Sequence, residues 1–295
     1  MCLINYLQEP RNRDGFENFV EKKFGYGTWN APYWFVGPEE GGGGNCVELA
    51  TRIIAWCGLA GADPDYNGLL NLREYCDEIG ETRFHGENAR PQRTWNKLLG
   101  LLGHPGADNN APQWYGHGLG NPDWRLSFQR DFLAQPGVEP HGRRVALLDI
   151  SPLASPNADT WLWGCIASEP LRVLMHHYDF ESRKRFLLAR DENGKTRLHR
   201  RLRVIRDRLG METSPRLVIF YGVFRDGALR DCADREMCAQ FGLRGPTRRD
   251  GPGYALVEET HLFWVYHPVA RSRLFNHEQI QVVMERNGAT PWADH

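Results

Sequence analysis

Four short stretches of this 295-residue chain gather the residue types that bind or turn over a ligand. They read Gly37-Pro38-Glu39-Glu40-Gly41-Gly42-Gly43-Gly44-Asn45, Asp149-Ile150-Ser151-Pro152, Tyr221-Gly222-Val223-Phe224 and Tyr266-His267-Pro268-Val269-Ala270-Arg271-Ser272. The first offers a backbone able to approach a ligand closely, with two carboxylates, Glu39 and Glu40, at its start. It is not a nucleotide loop. No Lys or Ser follows Gly44 as a Walker motif requires, and Cys46 stands where the third glycine of a Rossmann fingerprint falls. Ser151 and Ser272 lack the flanks of a GxSxG elbow, which argues against an unrelated α/β hydrolase.

Each stretch directly follows an apolar run: Tyr33-Trp34-Phe35-Val36, Val145-Ala146-Leu147-Leu148, Leu217-Val218-Ile219-Phe220 and Leu262-Phe263-Trp264-Val265. Such runs read as buried strands. Helical patterns over Asn45 to Leu59, Thr94 to Leu102, Glu181 to Leu188, Thr196 to Leu209 and Ala228 to Gln240 fill the intervals. Strand–helix alternation predicts a mostly parallel sheet in a three-layer α/β/α sandwich. In an open parallel sheet, ligands bind beyond the carboxyl ends of the strands, which is where the four stretches fall. The Gly-, Pro-, Asn- and Trp-rich region 103–142 reads as an elaborated loop with one helix near Asp123 to Ala134.

The composition is 41% hydrophobic and 25% charged with a net charge of −1, which excludes a disordered chain. No apolar run is long enough to span a membrane, and Met1 to Arg13 carries Glu9, Arg11 and Arg13 where a signal peptide needs an apolar stretch. A cytoplasmic location is expected. The seven cysteines are scattered without a CxxC, so reduced thiols are expected rather than disulfides, zinc or an iron–sulfur cluster. Between Arg183 and Arg208, eleven Lys or Arg face three acids. Leu198, Leu202, Ile205 and Leu209 form an apolar stripe there, which predicts Arg200, Arg201, Arg203 and Arg206 on the exposed face, solvated or contacting phosphate.

Taken in order, the motifs resemble the uracil-DNA glycosylase superfamily. Its members carry a GQDPYH-, GxNPG- or GEAPG-type loop after a first strand, an Asn after a second, and an HPS-type loop after the last. The matches here are Gly37-Pro38-Glu39-Glu40-Gly41, Leu147-Leu148-Asp149 and His267-Pro268-Val269-Ala270-Arg271-Ser272-Arg273, within a framework from about Tyr33 to Phe275. The resemblance implies a single domain over 1–295 with a central four-stranded sheet in the order 2-1-3-4. It implies that a base is flipped out of DNA and its N-glycosidic bond hydrolysed, with a carboxylate near the sugar and a donor near the base. Glu39 takes the position of the water-activating residue, with Glu40 beside it as the other candidate carboxylate. His267 takes that of the histidine bonded to the base carbonyl, and Gly37, Pro38, Gly41 and Asp149 line the base. Arg271 stands where relatives place an intercalating side chain; with Ser272 and Arg273 it contacts DNA. No lysine stands at the motif positions to form a Schiff base, so the activity implied is monofunctional. DNA is the partner, with no membrane, no obligate protein partner and no metal or organic cofactor.

Two departures bear on the substrate. An ionised Asp149 only accepts hydrogen bonds, which suits the exocyclic amine of cytosine or adenine rather than the O4 carbonyl of uracil. A protonated Asp149 would donate, which keeps uracil open. Gly41 replaces the Tyr that walls off the pyrimidine 5-position, and Gly42 to Gly44 are expected to widen the opening. The expected substrate is a bulky 5-modified cytosine of the kind found in phage DNA, making the chain a defence enzyme. The alternatives are a repair glycosylase for uracil or another damaged base, and a non-catalytic nucleic-acid-binding relative. Arg52 occupies the place at which an aromatic ring would stack on the base; Tyr66, Phe84, Trp114 and Tyr115 are the candidate rings.

Overall fold

The computed structural model describes residues 3–62, 66–83, 85, 89–101, 126, 129–130, 145–157, 160–164, 178–211, 215–222, 224–247, 251–267 and 277–286. In chain order these form α1 (Leu3–Gln8), α2 (Pro10–Lys22), β1 (Gly25–Tyr26), β2 (Tyr33–Gly41), α3 (Cys46–Ala62), β3 (Leu69–Leu70), α4 (Leu72–Glu78), α5 (Arg93–Leu101), β4 (Val145–Ser155), α6 (Arg183–Leu188), α7 (Arg197–Leu209), β5 (Leu217–Tyr221), α8 (Gly227–Phe241), β6 (Gly253–Val257), β7 (Thr260–Val265) and α9 (His277–Arg286). The loop region 103–142 lies almost wholly outside the described residues.

One mixed sheet of seven strands runs β3-β1-β4-β2-β5-β7-β6, rather than the four strands expected. The four apolar runs are neighbours within it and all parallel, β4-β2-β5-β7. The additions are at the margins. β1 and β3 are two residues each, too short to carry a period, and β1 runs antiparallel to β4. β6 forms an antiparallel hairpin with β7 through Glu258 and Glu259, both at positive φ (48° and 67°). Such a two-residue turn usually carries Asn-Gly or Asp-Gly, so Glu-Glu gives no hairpin signal.

The helices hold because their ends are capped and one face of each is apolar. Asn45 Oδ1 accepts from the N–H groups of Val47 and Glu48, Thr196 Oγ1 from His199, and Asp226 Oδ1 from Leu229. Gly242, at φ 70°, closes α8 in the left-handed conformation that glycine adopts freely. α1 to α4 form one packed group and α6 to α8 another, both reaching the sheet. α2 starts with Pro10 at its first turn and buries Phe16, Phe19 and Val20.

The basic face of α7 departs from expectation. Arg201, expected on the exposed face, is buried at 3% exposure, and Arg197 one turn before it at 4%. The apolar stripe is flanked by a second contact with the end of α2, which turns the Arg197/Arg201 column inward. Arg201 there donates to the carbonyls of Val20, Lys23, Asp149 and Ile150. Arg203 stays exposed and pairs with Asp207 of its own helix. Among the described residues, no helix is long and apolar enough to cross a membrane.

Candidate active site

The two central strands outrun their neighbours. β5 pairs with β2 only as far as Val36 and ends at Tyr221, and β7 ends at Val265. β2 and β4 continue, pairing Gly37 with Asp149, Glu39 with Ser151 and, after a register shift, Gly41 with Ser155. Glu39, Glu40 and Gly41 therefore lie on a strand, not in the loop predicted, and so does Asp149. Pro38 and Pro152, which have no N–H, fall where the ladder becomes irregular.

Adjacent residues of an extended strand point apart, and Glu39 and Glu40 find different partners. Glu39 is held in a bidentate fork by Arg183, with Nε to Oε2 at 2.6 Å and Nη2 to Oε1 at 2.7 Å. Arg183 is fixed in turn by Ser155 Oγ and the carbonyls of Asn157 and Thr160, and stands over the Trp161 ring. Burial pushes the Glu39 carboxyl up to about 7, against the pull of Arg183.

Glu40 enters a buried ionic cluster. Its Oε2 lies 3.1 Å from Lys23 Nζ and its Oε1 meets the Arg52 guanidinium. Lys23, with no exposed surface, also reaches Asp149 Oδ2 at 3.2 Å. Burial alone would raise Glu40, but Arg52 and Lys23 outweigh it and hold the carboxyl below its ordinary range. For Asp149 burial prevails over Lys23, and its carboxyl rises to about 6. Arg52 is thus a counter-ion, occupying the place where a stacking ring was sought. Tyr66, one of the candidate rings, takes the indole N–H of Trp56 at 2.9 Å.

A ring does stand at the strand ends. Tyr221 lies against Gly37, where an added Cβ would come 2.4 Å from the phenol oxygen, and meets the His267 ring edge-on at 5.7 Å. Gly222, at φ 91°, passes between Pro38 and His267; a Cβ there would sit 3.4 Å from one and 3.9 Å from the other. Pro38 and Tyr221 share a small apolar crevice with Val36, Phe220 and Trp264. Burial lowers the His267 imidazole below its usual value, which keeps it neutral near pH 7. Gly37→Ala is expected to drive the Tyr221 ring from its seat and to cost about 1–3 kcal/mol by overpacking. Chemical denaturation measures it; a variant as stable as the parent contradicts this placement.

The glycine run differs from its expected role. Only Gly41 faces open space. The N–H groups of Gly43 and Gly44 donate to the Glu48 carboxylate at 2.7 and 2.8 Å, and a Cβ on Gly42 or Gly43 would strike Arg52 or Leu49. These glycines pack the β2–α3 turn onto α3 and do not widen the opening.

The structure therefore brings Gly37, Pro38, Glu39, Glu40, Gly41, Asp149 and His267 to one edge of the sheet. Arg271, Ser272 and Arg273 lie outside the described residues, as do Phe84, Trp114 and Tyr115. Sequence reasoning missed Lys23 and Arg183 as site residues. It placed Tyr221 in a strand-end stretch, directly after an apolar run, without proposing it as the ring. Compared with known protein families, with curated proteins and with solved structures, the chain matches none.

Proposed function

We propose that this chain is a monofunctional DNA glycosylase of the uracil-DNA glycosylase type, acting on a bulky 5-modified cytosine of phage DNA as a defence enzyme. One observation carries the reading: Tyr221 and His267, at and just beyond the carboxyl ends of β5 and β7, lie beside the stretch in which β2 and β4 outrun them and carry Glu39 and Asp149, with Glu39 buried and half-ionised near neutral pH. The strand sequence β4-β2-β5-β7 within the larger sheet supports it.

In this reading Glu39 is the water-activating carboxylate. Each of its oxygens gives one lone pair to Arg183 and retains another for water. As the C1′–N bond breaks, the base departs with the electron pair. Water attacks C1′ and passes a proton to Glu39, while the negative charge of Glu39 stabilises the oxocarbenium-like sugar. Neutral His267 donates to the base carbonyl on which charge gathers, and Asp149 accepts from the base edge. Glu40 serves as the counter-ion of Lys23 and Arg52. Gly41, without a side chain, leaves room beside the pyrimidine 5-position.

Alkaline strand cleavage tests the proposal on matched oligonucleotides carrying cytosine, 5-hydroxymethylcytosine, its glucosylated form or uracil. Alkali-labile product is expected only at the 5-modified cytosines. Product at uracil alone keeps the glycosylase and removes the defence assignment; DNA binding with no product from any base overturns the enzyme.

A further inference from the structure

We infer that Lys23 decides which base the site accepts: by holding one oxygen of Asp149 it keeps that carboxylate an acceptor, so the chain selects a base with an exocyclic amine over one with a carbonyl at the same position. The inference rests on the glycosylase reading and names the residue that sets its preference for an amine-bearing base.

Lys23 follows the last turn of α2, and its place is fixed from three sides. Its own N–H closes the helix on the Phe19 carbonyl at 3.1 Å. Its carbonyl is held by Arg201, which at the same time holds the Asp149 carbonyl at 3.0 Å, so one guanidinium ties the lysine segment to the aspartate segment. The next residue completes the tie, because Asp149 N–H donates to the Phe24 carbonyl at 2.8 Å. The ammonium donates to Asp149 Oδ2, lies 3.1 Å from Glu40 Oε2, and has the rings of Tyr26 and Phe19 at 5.2 and 5.9 Å. A cation so fully occupied and buried has no capacity left to act as a nucleophile. What it does is fix its neighbour: Asp149 Oδ2 is taken, and among the described residues Oδ1 accepts no hydrogen bond.

Charge balance gives the chemical consequence. Two cations, Lys23 and Arg52, meet three carboxylates: Lys23 is shared by Glu40 and Asp149, and Arg52 by Glu40 and Glu48; Tyr26, Tyr75 and Tyr221 surround them as neutral phenols, and Glu39 is paired separately with Arg183. Arg201 adds its charge from the backbone side of Asp149. With Lys23 removed, Glu40 retains Arg52 and Asp149 has no side-chain cation, so Asp149 takes up a proton. A neutral carboxylic acid presents an O–H donor and would favour a carbonyl.

The test uses the full chain with two oligonucleotides whose bases share the 5-substituent and differ in the 4-amine or 4-carbonyl and the N3 proton that goes with the latter, 5-hydroxymethylcytosine against 5-hydroxymethyluracil. Each is prepared as the ordinary nucleotide for excision and as the 2′-fluoro analogue for binding without cleavage. The parent is expected to favour the amine-bearing base about tenfold or more. Lys23→Met is expected to bring that ratio to near one, and Asp149→Asn to reverse it. In the Asp149→Asn background, Lys23→Met changes the ratio no further. Because Lys23→Met removes a buried charge and risks misfolding, the parent's ratio is also followed from pH 8 to pH 5, where it is expected to collapse as Asp149 gains its proton near pH 6. A lysine that serves only as structural ballast lowers the melting temperature and leaves the ratio untouched, which overturns the inference. Discrimination between the 2′-fluoro analogues without excision of either ordinary base overturns the glycosylase reading instead.

Discussion

Glu39→Gln is expected to bind DNA as the parent does and to excise the base at least about 100-fold more slowly, the scale set by losing a general base or a preorganised charge at the reacting centre. The amide keeps the shape of the carboxylate and one acceptor for Arg183, but it neither takes a proton from water nor opposes positive charge on the sugar. The parent's pH profile supplies a second readout. Since the Glu39 carboxyl ionises at about 7, excision should rise roughly tenfold per pH unit below that value and level off above it, and the variant should lose this limb. Stability runs the other way. Between the ordinary carboxyl range and about 7, folded Glu39 holds a proton that the unfolded chain has released, so this group's contribution to stability falls as pH rises through that window. Denaturation midpoints at pH 5 and pH 8 measure it, with the Glu39→Gln variant as the reference that lacks the slope. If excision is unchanged in Glu39→Gln, Glu39 is not the activating group.

Arg201→Met should be among the most destabilising single changes in the protein, by about 3 kcal/mol or more. The side chain is buried and meets four backbone carbonyls, on Val20, Lys23, Asp149 and Ile150, without a carboxylate hydrogen-bonded to it. Burial lowers its basicity to about 10, so it remains charged at neutral pH. Methionine fills comparable space and leaves those carbonyls to find donors in a dry interior, which is the costly case for a hydrogen bond. Urea denaturation at pH 7 reads the loss. A midpoint within experimental error of the parent's contradicts the clamp.

The sheet centre and most helices were legible because they are written in local pattern. The four apolar runs became β2, β4, β5 and β7, and the helices expected near residues 45–59, 94–102, 181–188, 196–209 and 228–240 appear within a few residues of those bounds. The caps at Thr196 and Asp226 mark their starts as capping chemistry dictates. What was not legible is long-range. Lys23 finds Asp149 across 126 residues and Arg183 finds Glu39 across 144, and no spacing within one sequence encodes either pairing. The carboxylates announced themselves by position; their counter-ions did not. The misreading of Arg201 has a nearer cause. Four leucine or isoleucine positions mark one apolar face of a helix, whereas α7 is packed by α6, α8 and β4 and is also met by the end of α2. α2 itself was readable in hindsight, since Pro10 followed by Phe16, Phe19 and Val20 is a helix start with an apolar face.

The tie among Lys23, Asp149 and Arg201 also has a kinetic meaning. Ribosomes deliver Lys23 first, Asp149 126 residues later and Arg201 after that, with 178 residues between the first and last of the three. Until the last arrives, the carbonyls of Lys23 and Asp149 lack the guanidinium that joins them, so closing that long loop must precede the contacts that reward it. The pocket is therefore among the final parts of the molecule to form, and a chain interrupted before α7 would hold β1 to β4 with Glu39 and Asp149 but lack β5, β6 and β7 and with them Tyr221 and His267.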